Sequence, residues 1–93
     1  MSILVRFTGA PSMTAQKYDE TLPRIESAGD FPPDGLDYHV AFESGSNFRV
    51  SEIWDSREQF EKFGERLMPI LADAGVELTG EPEVLEIHKI IKR

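Results

Sequence analysis

Residues 35–56, GLDYHVAFESGSNFRVSEIWDS, carry the densest pattern in the chain. Two runs rich in aromatic and β-branched side chains, 36–42 and 48–54, flank a polar spacer at 43–47. Such runs around Gly45, Ser46 and Asn47 predict a β-hairpin. A two-residue turn at Gly45-Ser46, with the glycine at positive φ, pairs Ser44 with Asn47. Counting back along that ladder sets Phe42 against Arg49, Ala41 against Val50, His39 against Glu52, Tyr38 against Ile53 and Asp37 against Trp54. Side chains alternate faces, so His39, Ala41, Val50, Glu52 and Trp54 share one side, and Tyr38, Val40, Phe42 and Ile53 take the other. A loop of odd length would exchange the partners' faces; the pairing of His39 with Glu52 depends on the two-residue turn.

The flanking patterns supply the remaining elements. Residues 3–8 read as a short strand closed by Gly9, Ala10 and Pro11, with Ile3, Val5 and Phe7 on one face and Leu4, Arg6 and Thr8 on the other. Arg6 therefore stands among apolar neighbours and needs a partner or water if that face is enclosed. Thr14 is placed to cap a helix that reaches about Ala28 and stops at Gly29, with Tyr18, Leu22, Ile25 and Ala28 as its buried stripe. Pro23 inside that span predicts a kink or short break near Leu22. Residues 30–35 form a stiff loop around Pro32 and Pro33. After the hairpin, Ser56 and Gln59 fit a capping box, with Glu58 in the first turn where the helix dipole favours negative charge. The helix they open carries Phe60, Phe63, Leu67, Ile70, Leu71 and Ala74 on one side and ends at Gly75. Pro69 interrupts it, and two helices with interior prolines predict bent helices around a twisted sheet. Residues 84–91 alternate again and read as a last strand, with Leu85, Ile87, Lys89 and Ile91 opposite Val84, Glu86, His88 and Ile90. The order β-α-β-β-α-β, without repeat or linker, predicts a single α+β domain over residues 1–93: an antiparallel four-stranded sheet with both helices on one face.

Composition narrows the partners. The 93 residues, able to bury roughly two-thirds of their unfolded surface, include 10 basic and 17 acidic side chains for a net charge of -7. Nucleic acid and anionic membranes both call for a basic footprint, so neither is an expected partner. The absence of cysteine removes disulfides, thiolate nucleophiles and thiolate metal sites. MSILVRFTG has neither a basic leader nor a long apolar run, and a cytoplasmic protein is the expectation.

With both helices on one face, the other is expected to present Leu4, Val50, Ala41, Trp54, Val84 and Ile90 to water, an apolar patch of the kind that marks an interface or ligand site. A homodimer with its sheets face to face would cover it. The space between them would be lined by Trp54 with Arg6, Thr8, Val50, His39, Glu52, Glu86 and His88, mostly apolar walls with a few converging polar groups, suited to a small hydrophobic or aromatic ligand.

The run Glu52-Ile53-Trp54-Asp55-Ser56-Arg57-Glu58-Gln59-Phe60 resembles the strand-to-helix signature x-x-W-E-S-x-E-x-F of the antibiotic biosynthesis monooxygenase-like proteins, within the dimeric α+β barrel superfamily. Tyr38-His39-Val40-Ala41 and Glu86-Ile87-His88-Lys89 resemble features of an uncharacterised subgroup. The resemblance implies a ferredoxin-like protomer, a homodimer and a cavity that in some members carries cofactor-independent oxidation of polycyclic phenols and in others degrades haem. Haem-degrading members supply a histidine from the second helix and an asparagine from the first strand, and residues 57–74 and 3–9 here contain neither. Oxidising members carry an asparagine at the position of Val50, and only Trp54 matches. Fold therefore transfers better than activity.

Each candidate has two readings. Trp54 is core or the wall of a site. His39 beside Glu52 is a base whose tautomer a carboxylate fixes, or a structural cross-strand pair. Arg6 anchors an anionic or phenolate substrate, or neutralises Glu52 or Glu86. No spacing forces the two His and two Glu onto one metal, so neither metal nor cofactor is expected. Two functions follow: oxidation of a small aromatic or polyketide-like compound without a cofactor, with His39, Glu52 and Trp54 catalytic and Arg6, Thr8, Val50, Glu86 and His88 binding substrate; or a non-catalytic, ligand-binding or stress-type dimer.

Overall fold

The structure, a computed structural model, describes residues 2–28 and 31–93. Its elements are β1 (Ile3–Thr8), α1 (Ala15–Ser27), β2 (Leu36–Ser44), β3 (Asn47–Trp54), α2 (Arg57–Ala74) and β4 (Glu83–Glu86). The strands form one antiparallel sheet in the order β2-β3-β1-β4, the ferredoxin-like arrangement that the pattern predicts.

Local chemistry sets the element ends. Gly45 turns the hairpin at φ +62°, and the ladder runs Ser44↔Asn47, Phe42↔Arg49, Ala41↔Val50 and His39↔Glu52. A bulge at Asp37 then brings Leu36, and not Asp37, opposite Trp54; the extra residue absorbs the twist where the strand leaves the loop. Thr14 caps α1 by accepting from the Lys17 N–H, Ser56 caps α2 by accepting from Gln59, and Gly75 closes α2 at φ +74°. The predicted stop at Gly29 and the loop start at Asp30 lie outside the described residues; Ala28 is the C-cap of α1.

Three expectations are corrected. Of the kink or break expected at the prolines, the break is absent: α1 is continuous through Pro23 and α2 through Pro69. The last strand ends at Glu86 and not at Ile91: its ladder partner β1 begins at Ile3, opposite Glu86, and only the Ile87 N–H reaches further, to the Ser2 carbonyl. The third correction decides where the site is. The register Ile3↔Trp54, Val5↔Glu52, Phe7↔Val50 puts Trp54, Glu52 and Val50 on the face that carries Ile3 and Val5. That face meets the helices: Trp54 is fully buried against Phe60 and Phe63 of α2, at ring separations of 5.8 and 5.6 Å. Ile3, Val5, Trp54 and Phe63 are the buried centre of the core, with Phe7, Ile25, Phe60, Leu67 and Val84 packed around them.

The bare face is consequently built of Leu4, Tyr38, Val40, Ser51 and Ile53, with Leu85, the partner of Leu4, at its edge. The chain after β4 returns over this groove, bringing Ile90 and Ile91 to its wall and the Lys92 ammonium 5.1 Å from the centre of the Tyr38 ring. No helix among the described residues is long and apolar enough to cross a membrane. Within α2 the eighth residue is Gly64, which costs a helix interior about 1 kcal/mol relative to alanine. A β-carbon there would meet nothing within 4 Å.

Candidate functional site

The helix-facing side of the sheet contains a polar chain that is buried at Glu52 and Trp54 and half-buried at His39 and Tyr18. Glu52, 4% exposed, accepts two hydrogen bonds: His39 Nδ1–H donates to Oε2 at 2.6 Å and Trp54 Nε1–H to Oε1 at 3.0 Å. The carboxylate holds the imidazole proton on Nδ1, so Nε2 presents its lone pair away from Glu52. The Tyr18 hydroxyl of α1 lies 2.7 Å from Nε2 and is the donor when the imidazole is neutral in this tautomer. Four side chains from α1, β2 and β3 thus form one continuous chain, Tyr18–His39–Glu52–Trp54. Strand geometry explains most of it. His39 and Glu52 are directly opposed across the hairpin, and Trp54 lies two residues from Glu52 on the same face.

Aromatic packing sets the planes. The Tyr18 ring is nearly parallel to the His39 ring at 5.9 Å, and Phe31 meets the imidazole edge-on at 5.6 Å. Burial first, and then the nearby Glu52 carboxylate, push the Tyr18 phenol above its ordinary value of 10.0. Both effects disfavour the phenolate, so the Tyr18 hydroxyl beside His39 keeps its proton.

Two adjoining spaces border this chain. The smaller, about 90 Å³, is lined by Tyr18, His39 and Glu52 among apolar side chains that include Leu22, Ile25 and Val50. The larger, about 410 Å³, lies between the sheet, α2 and residues 76–82, and Glu52 also forms part of its wall. Phe7, Leu67, Leu71, Val76 and Leu78 border both. A groove of about 610 Å³ between the Pro32–Asp34 segment and α2 has charged walls, Lys62, Glu65 and Arg66 among them, and touches none of the candidates.

The structure therefore brings His39, Glu52, Trp54 and Val50 together, but inside one chain and not between two sheets. It does not bring the other candidates there. Arg6 pairs with Ser51, which faces the bare groove, and alternation puts Arg6 and Thr8 on that side of β1. Glu86 lies at the start of α2, beside Ser56 and Arg57. His88 follows the end of β4 and is exposed. Among the described residues, no group of three or more His, Cys, Asp or Glu is arranged to hold a metal ion. Two contributors are not singled out by the sequence reading. Tyr18 belongs to the predicted buried stripe of α1, where a phenol needs a polar partner for its hydroxyl; that need is the available signal. Thr21, 4% exposed, lines the small cavity while its hydroxyl donates to the Lys17 carbonyl. A threonine amid a polar helix surface carries no such signal.

Fold and site together define a ferredoxin-like α+β protein with an apolar cavity between its sheet and its helices and a carboxylate-oriented histidine in the wall. In structure the chain is similar to SnoaB from Streptomyces nogalater, a cofactor-independent oxygenase, with a TM-score of 0.61 and 16% identity over 99% of this chain and 96% of that one. It is also similar to a Deinococcus radiodurans protein classed with the antibiotic biosynthesis monooxygenases (TM-score 0.60, 20% identity, 100% of this chain and 98% of that one). A third neighbour is Rv0793 from Mycobacterium tuberculosis (TM-score 0.55, 18% identity, 98% and 95%). No protein-family model and no curated protein matches the sequence. At such identities the likeness establishes the fold, and activity has to be argued from the site.

Proposed function

We propose that this protein is an oxygenase of the antibiotic biosynthesis monooxygenase type that oxidises a small phenolic or polyketide-like aromatic without a cofactor. The observation that carries this reading is the Tyr18–His39–Glu52 chain at the wall of an apolar cavity. A phenolic substrate donates its proton to the Tyr18 oxygen as Tyr18 passes its own to His39 Nε2. The imidazolium is then held by Glu52, and the substrate phenolate accepts from the renewed Tyr18 hydroxyl. The electron-rich ring is itself the reductant: with dioxygen, a methylene para to the phenolate becomes a carbonyl. Both C–H bonds of that methylene break, one atom of the dioxygen forms the new C=O bond, and the other leaves with the two hydrogens as water. Arg6, on the opposite face of the sheet, takes no part in holding the anion.

The test is oxygen uptake over a panel of anthrones, which carry the methylene para to an enolisable oxygen that this step requires. The expected result is one dioxygen consumed per product, with His39→Ala slower by roughly 100-fold or more, the usual worth of a positioned base. An inert parent protein, or a variant as fast as the parent, removes the oxygenase reading. The small volume beside His39 favours a second one, a non-catalytic dimer that retains a metabolite; saturable ligand binding by a protein that consumes no oxygen would select it.

The same proposal includes a homodimer. Its support is the bare sheet face, where Tyr38, Val40, Leu85 and Ile91 are all exposed, an apolar patch that a second copy with the same surface would cover. Sedimentation at micromolar concentration is expected to give twice the chain mass, reduced to the monomer mass by Val40→Lys. A monomeric parent would discard the dimer and leave the cavity intact, since every residue of the cavity comes from one chain.

A further inference from the structure

Arg6 and Arg49 carry charge that neither the core nor the proposed oxidation uses. The register Arg6↔Ser51 and Thr8↔Arg49 sets these four residues at the corners of one square on the bare face of the sheet. The arginines stand on one diagonal, about 7–8 Å apart at their backbones, and the hydroxyls on the other. Both arginines are half-buried. The Arg49 Nε–H is shut off from solvent without a hydrogen-bond partner, and the carboxylate nearest to that guanidinium, of Glu83, stays 3.6 Å from Nη2 and is 57% exposed. Glu83 is also the ladder partner of Arg6, yet the Arg6 guanidinium forms no hydrogen bond or ion pair among the described residues. We infer that this square is a binding site for a phosphate-type oxyanion, held between the two guanidiniums and the hydroxyls of Ser51 and Thr8.

Charge and geometry specify the class. Two like charges this close repel each other, and a half-buried setting screens them less than open water does. Glu83 relieves little of that, because an exposed ion pair beyond hydrogen-bond reach contributes close to nothing. A tetrahedral dianion matches both charges. It accepts the fork of each guanidinium, the Arg49 Nε–H included, together with an O–H from Ser51 or Thr8. A carboxylate, planar and singly charged, satisfies one guanidinium and leaves the other. The net charge of -7 keeps extended polyanions away, whereas a small anion responds to the local pair of cations. Ser51 also borders the groove of Leu4, Tyr38, Val40 and Ile53, so an organic phosphate has an apolar floor beside the square, and a free phosphate uses the square alone. The four residues are distinct from the Tyr18–His39–Glu52 chain and from the dimer contacts, and the site stands if either of those readings fails.

The probes are inorganic phosphate and phenyl phosphate, added to the whole chain at constant ionic strength while the arginine Nε–H resonances are followed. The expected result is a saturable shift at Arg6 and Arg49, with Arg24 and Arg57 unmoved. Affinity should fall roughly 10-fold in Arg6→Gln and in Arg49→Lys, each of which removes charge-assisted N–H bonds. It should rise roughly 3-fold in Glu83→Gln, which removes a competing carboxylate, and acetate should bind roughly 10-fold more weakly than phosphate. Phenyl phosphate bound no more tightly than phosphate assigns a free oxyanion, and tighter binding assigns an organic ester; either supports the site. No saturable shift, a shift shared by Arg24 and Arg57, acetate equal to phosphate, or undiminished affinity in a folded arginine variant would each overturn it. Where an arginine variant loses its dispersed amide spectrum, Glu83→Gln decides, since that side chain is exposed: tighter phosphate binding supports the site, and unchanged or weaker binding overturns it.

Discussion

Glu52→Ala is expected to lower unfolding free energy by about 2–5 kcal/mol, because it strands the buried Trp54 Nε1–H, at roughly 1–3 kcal/mol, and the half-buried His39 Nδ1–H, at somewhat less. Against the roughly 5–14 kcal/mol that a chain of this length holds in total, that is a large share. Glu52→Gln separates stability from chemistry. Its carbonyl can still accept from Trp54, and its NH2 can donate to His39 if the imidazole changes tautomer, so the cost should be near 1 kcal/mol. The changed tautomer puts the proton on Nε2, which then donates to Tyr18 and can no longer accept from it. The glutamine variant should therefore fold and yet lose oxygen uptake to the level of His39→Ala. Urea unfolding followed by circular dichroism measures the first effect and an oxygen electrode the second. An alanine variant within 1 kcal/mol of the parent would mean that the polar chain is not what holds this part of the core.

Trp54→Ala should cost still more, about 3–5 kcal/mol for the cavity alone, with the loss of a donor to Glu52 added. The indole is fully buried and lies between Phe60 and Phe63 of α2 on one side and the sheet on the other. Its removal takes away the contact through which α2 rests on β3. Trp54→Phe keeps most of the ring packing and forfeits the N–H, for an expected loss of about 1–2 kcal/mol. The same urea experiment applies: the alanine variant should be close to unfolded at 37 °C and the phenylalanine variant folded. Equal midpoints for the two would show that the ring packing adds nothing beyond the hydrogen bond.

The structure and the sequence agree wherever the signal is local. The bounds of β1, the hairpin register from Ser44 back to Tyr38, the caps at Thr14 and Ser56 and the stop at Gly75 each follow from turn chemistry or side-chain period within a few residues. The bulge at Asp37 escaped because nothing in the alternation marks it. The length of β4 escaped because a strand ends where its neighbour does, and that neighbour, β1, lies at the opposite end of the chain.

By itself the sequence determined the order of the elements, their periods and the pairing of His39 with Glu52. It did not determine which face of the hairpin turns inward. Judged by polarity, Tyr38, Val40, Phe42 and Ile53 look like the core side and a face with His39 and Glu52 looks wet. The fold does the reverse, because Tyr18 and Trp54 complete the hydrogen bonds that make the histidine and the glutamate tolerable under the helices. That satisfaction requires α1 and α2 to lie over the same small area of sheet, a condition only the tertiary structure could meet, and it moved the site from a space between two molecules to the interior of one.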